Sequence, residues 1–186
     1  MNILLLGAPG SGKGTLGEKI VKLGYTAIVA GDILRNERES DSELGNRIKE
    51  IMGKGNLLPD EITNEIIASR LPLINPPYLL DGFPRKVSQA VFFETISNVD
   101  LVINLTITDE ILRERILKRG KTSGRADDQS IEIINNRIEQ YNTETFPLVD
   151  YFTKKIGTYV VTIDTDTTPE NVYEKFMVVY ETMKNG

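Results

Sequence analysis

The chain contains no cysteine and no histidine. Their absence removes disulfides, thiol nucleophiles, histidine general bases and the usual zinc sites together. No stretch is long or apolar enough to span a membrane. An excess of positive charge is missing too: 22 Lys+Arg stand against 27 Asp+Glu, a net charge of −5. That balance argues against a general affinity for nucleic acid. No charged presequence precedes the first apolar run, so a cytoplasmic protein is expected. Any chemistry must use carboxylates, Lys, Arg, hydroxyls, backbone amides or a hard metal ion. Phosphoryl transfer suits that inventory, because it rests on positioning and charge stabilisation.

What is present is ordinary for one globular domain: 186 residues, 40% hydrophobic and 26% charged. Apolar strand patterns alternate with helical ones. The expected strands are Asn2–Leu6, Thr26–Val29, Tyr78–Leu80, Leu101–Thr106 and Val160–Ile163. The expected helices lie near Lys13–Leu23, Ile33–Arg38, Glu43–Met52, Glu61–Leu71, Ser88–Ile96, Glu110–Arg119, Ile131–Phe146 and Glu170–Met183. This alternation predicts an α/β fold, a five-stranded parallel sheet with helices on both faces. Ligands then belong at the carboxyl ends of the strands. Residues 30–58, between two strands, read as an insert able to move against the sheet, and 120–128 as a short polar loop.

"MNILLLGAPGSGKGTLGEKI" joins a buried strand to a helix through glycines. Gly7-x-x-x-x-Gly12-Lys13 fits the P-loop, in which amides cradle phosphates and the lysine reaches the β and γ groups. Gly12-x-Gly14-x-x-Gly17 also fits a dinucleotide fingerprint, with Asp32 at a suitable distance. Position favours the P-loop, because Gly7 and not Gly12 follows the strand directly. Lys13 is explained only by that reading. The general pattern ends Lys-Ser/Thr, whereas here Gly14 intervenes before Thr15. The bland reading is a glycine-rich turn without a ligand.

In "YLLDGFPR", Asp81 ends a strand; if the P-loop stands on an adjacent strand, its carboxylate can hold magnesium through water. Alone it would read as a loop aspartate capping the next helix. Arg35, Arg85, Arg119, Arg125 and Arg137 all fall near strand ends or loops on the ligand side. Singly each is a solvated surface charge. Together their planar forks suit a site that neutralises two phosphate chains.

Four motifs, "GAPGSGKGT", "AGDILR", "DGFPR" and "RGKTSGRADD", give the chain a resemblance to the nucleoside monophosphate kinases, the adenylate kinases and UMP-CMP (uridylate) kinases. The resemblance covers nearly the whole chain, and Gly14-Thr15 is normal in that family. It implies a P-loop NTPase fold with a mobile monophosphate-binding insert (30–58) and a short lid (120–128), acting as a monomer. It implies that Gly10, Ser11, Gly12, Lys13, Gly14, Thr15 and Arg119 bind ATP. Ala30, Gly31, Arg35, Leu58, Gly82, Arg85, Gln89, Arg125 and Arg137 would bind the monophosphate. Lys13, Arg85, Arg119, Arg125 and Arg137 would be catalytic, Asp81 would organise Mg2+ through water, and Asp127 and Asp128 would order the lid arginines. One residue more than the family's usual spacing separates "ADD" from Arg137.

Two positions conflict on the acceptor base. Ala30 stands where adenylate kinases resembling this chain carry Thr and UMP-CMP kinases carry Ala. Gln89 stands where adenine-preferring members carry Gln and many UMP-CMP members carry Asn. The expectation is that UMP and CMP are used well and AMP is also accepted. The alternative is a strict adenylate kinase, with an NAD(P)-binding oxidoreductase or a non-catalytic nucleotide sensor further off.

Overall fold

The computed structural model describes residues 1–71, 76–123, 128 and 130–185, without the side chains of Thr122 and Ser123. Five strands form one parallel sheet: β1 (Ile3–Gly7), β2 (Thr26–Val29), β3 (Tyr78–Asp81), β4 (Leu101–Thr106) and β5 (Tyr159–Asp164). Their order is β2-β3-β1-β4-β5. Around it lie α1 (Lys13–Val21), α2 (Ala30–Arg38), α3 (Glu43–Gly53), α4 (Asp60–Arg70), α5 (Val87–Phe93), α6 (Asp109–Ser123), α7 (Ile131–Gln140), α8 (Pro147–Thr153) and α9 (Pro169–Asn185).

Period-two alternation along β1 builds the two halves of the core. Leu4 and Leu6 join Leu80, Val102, Phe93 of α5 and Phe152 of α8 on one face. Ile3 and Leu5 join Leu79, Ile103, Leu16 of α1 and Phe176 of α9 on the other. Burying a Leu or Phe side chain fully stabilises by about 1.5–3 kcal/mol, so these two layers hold the sheet rigid beneath the loops. Strands β1 and β3 are neighbours, with Leu5 in register with Asp81. Yet α1, after β1, and α5, after β3, pack on opposite faces. That divergence opens a crevice at the carboxyl ends of the two strands. A smaller cluster of Leu34, Ile48 and Leu58 centres on the 30–58 segment, with Ile62 and Ile66 of α4 packed against it.

Three expected boundaries need correction. Residues 120–123 are helical, the last turn of α6, and not loop. The segment 131–146 is not one helix: α7 ends at Gln140 and a π turn covers Tyr141–Thr145. Pro147 then opens α8, which the sequence reading missed. A proline cannot donate to a continuing helical ladder but is well suited to the first turn of a new helix. The wider turn before it is closed by the Phe146 amide donating to the Tyr141 carbonyl at 2.8 Å. Finally, α2 begins at Ala30 directly from β2, three residues before the expected start.

Candidate active site

The P-loop runs from the end of β1 to the start of α1. Gly12 is the N-cap of α1 at φ 97°, in the left-handed region that favours glycine. A Cβ there would meet nothing within 4 Å, so the ground above the loop is open. No side chain caps α1 and no acidic residue sits in its first turn. A helix start of this kind presents backbone amides and the positive end of the dipole to an anion. Lys13 Nζ donates to the carbonyls of Gly7 (2.6 Å) and Ala8 (3.1 Å), folding the side chain back over its own loop. Desolvation lowers the pKa of this ammonium from 10.5 to about 8; Asp81 opposes the shift, and Arg85, Arg119 and Arg137 add to it. Ser11 Oγ is buried with no hydrogen-bond partner among the described residues.

The dinucleotide reading fails on this geometry. Gly12, which would have to open the turn directly after the strand, instead caps α1 well past the end of β1 at Gly7, and Gly14 already lies inside the helix. Asp32, its candidate ribose acceptor, pairs with Arg35 one helical turn on.

Opposite the P-loop, the segment after β3 supplies Asp81, Gly82, Arg85 and Gln89. Arg85 Nε donates to Gly82 O at 2.7 Å, and Thr145 Oγ1 donates to Arg85 O at 2.8 Å. The π turn thus fastens the backbone that carries this arginine. Gln89 is buried, 2% exposed. Its Oε1 accepts from the Arg85 amide (2.8 Å) and its Nε2 donates to Asp60 Oδ1 (2.9 Å). Asp60, at the start of α4, had no distinguishing signal in the sequence: an acidic residue after a proline reads simply as a helix start.

On the third side, α6 and α7 bring Arg119 and Arg137 together on one carboxylate. Asp128 is fully buried and accepts from Arg119 Nε (2.6 Å), Arg119 Nη2 (2.9 Å) and Arg137 Nη1 (2.6 Å). Burial pushes the Asp128 carboxyl pKa up, but the two guanidiniums outweigh it and hold it below the usual value. Asp128 lies against α6 at Gly120, where a Cβ would lie 2.5 Å from the Asp128 carbonyl. The extra residue before Arg137 leaves its side chain on the cleft. Arg125 and Asp127 lie outside the described residues.

These parts line one cleft of about 1090 Å³. Gly10 to Thr15 form one wall; Gly31, Arg35, Leu58, Asp81, Gly82, Arg85 and Gln89 also line it, with Arg119 and Arg137. Ala30 does not. Its side chain is fully buried in the sheet's core, where a small residue fits the β2–α2 junction. Tyr141, Thr145 and Arg115 also line the cleft and were not anticipated.

The sequence model of the family described as adenylate kinase matches residues 5–157. The chain is similar to the adenylate kinase of Parabacteroides distasonis, 41% identical over 160 residues, covering 82% of this chain and 84% of that one. It is 40% identical over 163 residues to the adenylate kinase of Porphyromonas gingivalis, covering 83% and 84%. With that of Flavobacterium psychrophilum it shares 42% over 160 residues, covering 82% and 84%. A glycine loop of P-loop form, arginines facing it across one cleft, and relatives matched over more than four-fifths of both chains converge on one answer: this protein belongs to the adenylate kinase family of nucleoside monophosphate kinases, phosphotransferases that move a phosphoryl group between nucleotides.

Proposed function

We propose that the enzyme transfers the γ-phosphoryl group of ATP reversibly to AMP, giving two ADP. This corrects the expectation of UMP and CMP as main acceptors. The relatives named above are all adenylate kinases, and Ala30, which favoured a pyrimidine, is buried in the core. The relatives carry the choice of AMP over CMP; Gln89, lining the cleft beside Arg85 with its amide locked in one orientation, supports an amino-bearing base over uracil.

In this reading the α1 amides and Lys13 hold the ATP phosphates. Arg35 and Arg85 grip the acceptor phosphate. Arg119, Arg125 and Arg137 draw charge from the group in flight. The acceptor oxygen is already an anion, so the γ-phosphorus–oxygen bond to it forms while the bond to the β-bridging oxygen breaks, and no general base is needed. That fits a chain without histidine. Asp81 suits magnesium, which takes one or two carboxylates plus water and phosphate oxygens. No larger group of acidic ligands that could hold a metal occurs among the described residues. When bound, the ion neutralises charge on the β and γ phosphates; Asp81 would hold it through water. Closure of the 30–58 segment and the 120–128 lid would keep water from the phosphoryl group. No helix among the described residues is long and apolar enough to cross a membrane.

A coupled assay with ATP, magnesium and AMP, CMP, UMP or GMP tests the proposal. AMP should give the highest kcat/KM. A higher value for UMP or CMP would overturn it.

A further inference from the structure

Gln89 is gripped from two sides by groups that cannot exchange roles. The Arg85 amide can only donate, and it meets Oε1 at 2.8 Å. The Asp60 carboxylate, when ionised, can only accept, and it meets Nε2 at 2.9 Å. Turning the amide over would set donor against donor and acceptor against acceptor. Asp60 is itself held: Ser88 Oγ donates to Oδ2 at 2.5 Å and Lys86 Nζ lies 3.6 Å from Oδ1. These contacts leave Gln89 with one lone pair and one N–H in an order that cannot reverse.

We infer that Asp60 is a positioning residue that fixes the Gln89 amide and so makes the acceptor site read the base edge by class, amino or keto. Adenine and cytosine present an amino donor beside a ring-nitrogen acceptor. Hypoxanthine, guanine and uracil present a carbonyl acceptor beside a ring N–H. A pinned amide pairs with one order and meets the other donor to donor. The inference rests on the reading above, that Gln89 faces the acceptor base, and it makes the discrimination at this residue one of hydrogen-bond order and not of purine against pyrimidine.

Inosine monophosphate is the probe, because it keeps the shape of AMP and reverses only the edge. The kcat/KM values for AMP and IMP are compared at saturating ATP and magnesium. The full chain should favour AMP by about a hundredfold or more. Asp60→Ala and Asp60→Ser, the second retaining a good helix start, should each cut that ratio about tenfold, mostly by lowering the AMP value. Asp60→Asn, whose Oδ1 still accepts from Gln89, should retain most of the ratio. If Asp60→Ala and Asp60→Ser slow AMP and IMP equally, Asp60 only holds α4 in place and the inference is overturned. Gln89→Leu separates the two levels. A ratio unchanged in Gln89→Leu removes the base contact itself and the inference with it, while AMP as acceptor still stands or falls by the acceptor panel. A ratio lost in Gln89→Leu but kept in Asp60→Ala and Asp60→Ser removes only the role of Asp60.

Discussion

Lys13 is held as a weakened cation. Its ammonium has a pKa near 8 in place of 10.5, chiefly because the cleft floor desolvates it. Triphosphate oxygens should raise that value again on binding, so binding takes up a proton at higher pH. ATP affinity should therefore be flat below about pH 8 and fall by up to tenfold per pH unit above it. Titration calorimetry over roughly pH 7 to 10 measures the slope, and Lys13→Met should abolish it. The same variant should lose roughly a hundred- to a thousandfold in kcat, the scale for removing one charge-stabilising donor. An unchanged rate in a folded variant would remove the P-loop assignment. Arg85 poses the complementary test on the acceptor side. A hydrogen bond to a charged group contributes about 1.5–3 kcal/mol, so Arg85→Ala should cost about tenfold or more in AMP kcat/KM and less in ATP affinity. Loss of ATP binding with AMP efficiency intact would place Arg85 on the wrong substrate. Both residues were legible, since a lysine among glycines after a strand and an arginine after "DGFP" stand out in a chain without histidine. Asp60 was not, and neither was the orientation of Gln89. Both depend on a contact between residues 29 positions apart.

At the scale of elements, α6 and α7 depend on a close approach that composition hides. Gly→Ala in a helix interior normally stabilises by about 1 kcal/mol. At Gly120 the sign should reverse, because the new Cβ would lie 2.5 Å from the Asp128 carbonyl. Gly120→Ala should lower stability by about 1–3 kcal/mol, seen as a fall in Tm, and should loosen the carboxylate that orders Arg119 and Arg137. A raised Tm would show that the Asp128 backbone yields freely. The strands and most helices were readable from apolar periodicity, with errors at their ends. The π turn and α8 were not, since Ile134, Ile138 and Tyr141 keep helical spacing into a region where the backbone widens by one residue. Only Pro147 hinted at a new start.

For the whole molecule, the segment 30–58 holds a small cluster of Leu34, Ile48 and Leu58. It touches α7 through Asn136 Nδ2, which donates to Lys54 O (2.8 Å) and Asn56 Oδ1 (2.9 Å). A unit whose cluster is shared with α4, and which enters the sheet's core only at its Ala30 end, can shift about that end. A dinucleoside polyphosphate filling both subsites should slow amide exchange in 30–58 and 120–128 more than in β1 or β4. Equal exchange with and without it would argue against closure. Alternating strands and helices announced a parallel sheet, but not the order β2-β3-β1-β4-β5. That order depends on which face each crossover takes. It alone sets Asp81 beside the P-loop strand.

Each cation proposed for the chemistry and described in the structure already has an oxygen ligand from the chain itself. Lys13 has the Gly7 and Ala8 carbonyls, Arg35 has Asp32, Arg85 has Gly82 O, and Arg119 and Arg137 share Asp128. Like charges crowded into one cleft would otherwise repel. On the proposed roles, substrate entry would be an exchange of ligands, phosphate oxygens for carbonyl and carboxylate oxygens, and not the filling of a bare electropositive hole. Where the ligand given up is a carboxylate, as at Arg35, Arg119 and Arg137, such an exchange releases few bulk ions. Nucleotide affinity should accordingly vary less steeply with salt than the number of arginines around the cleft suggests.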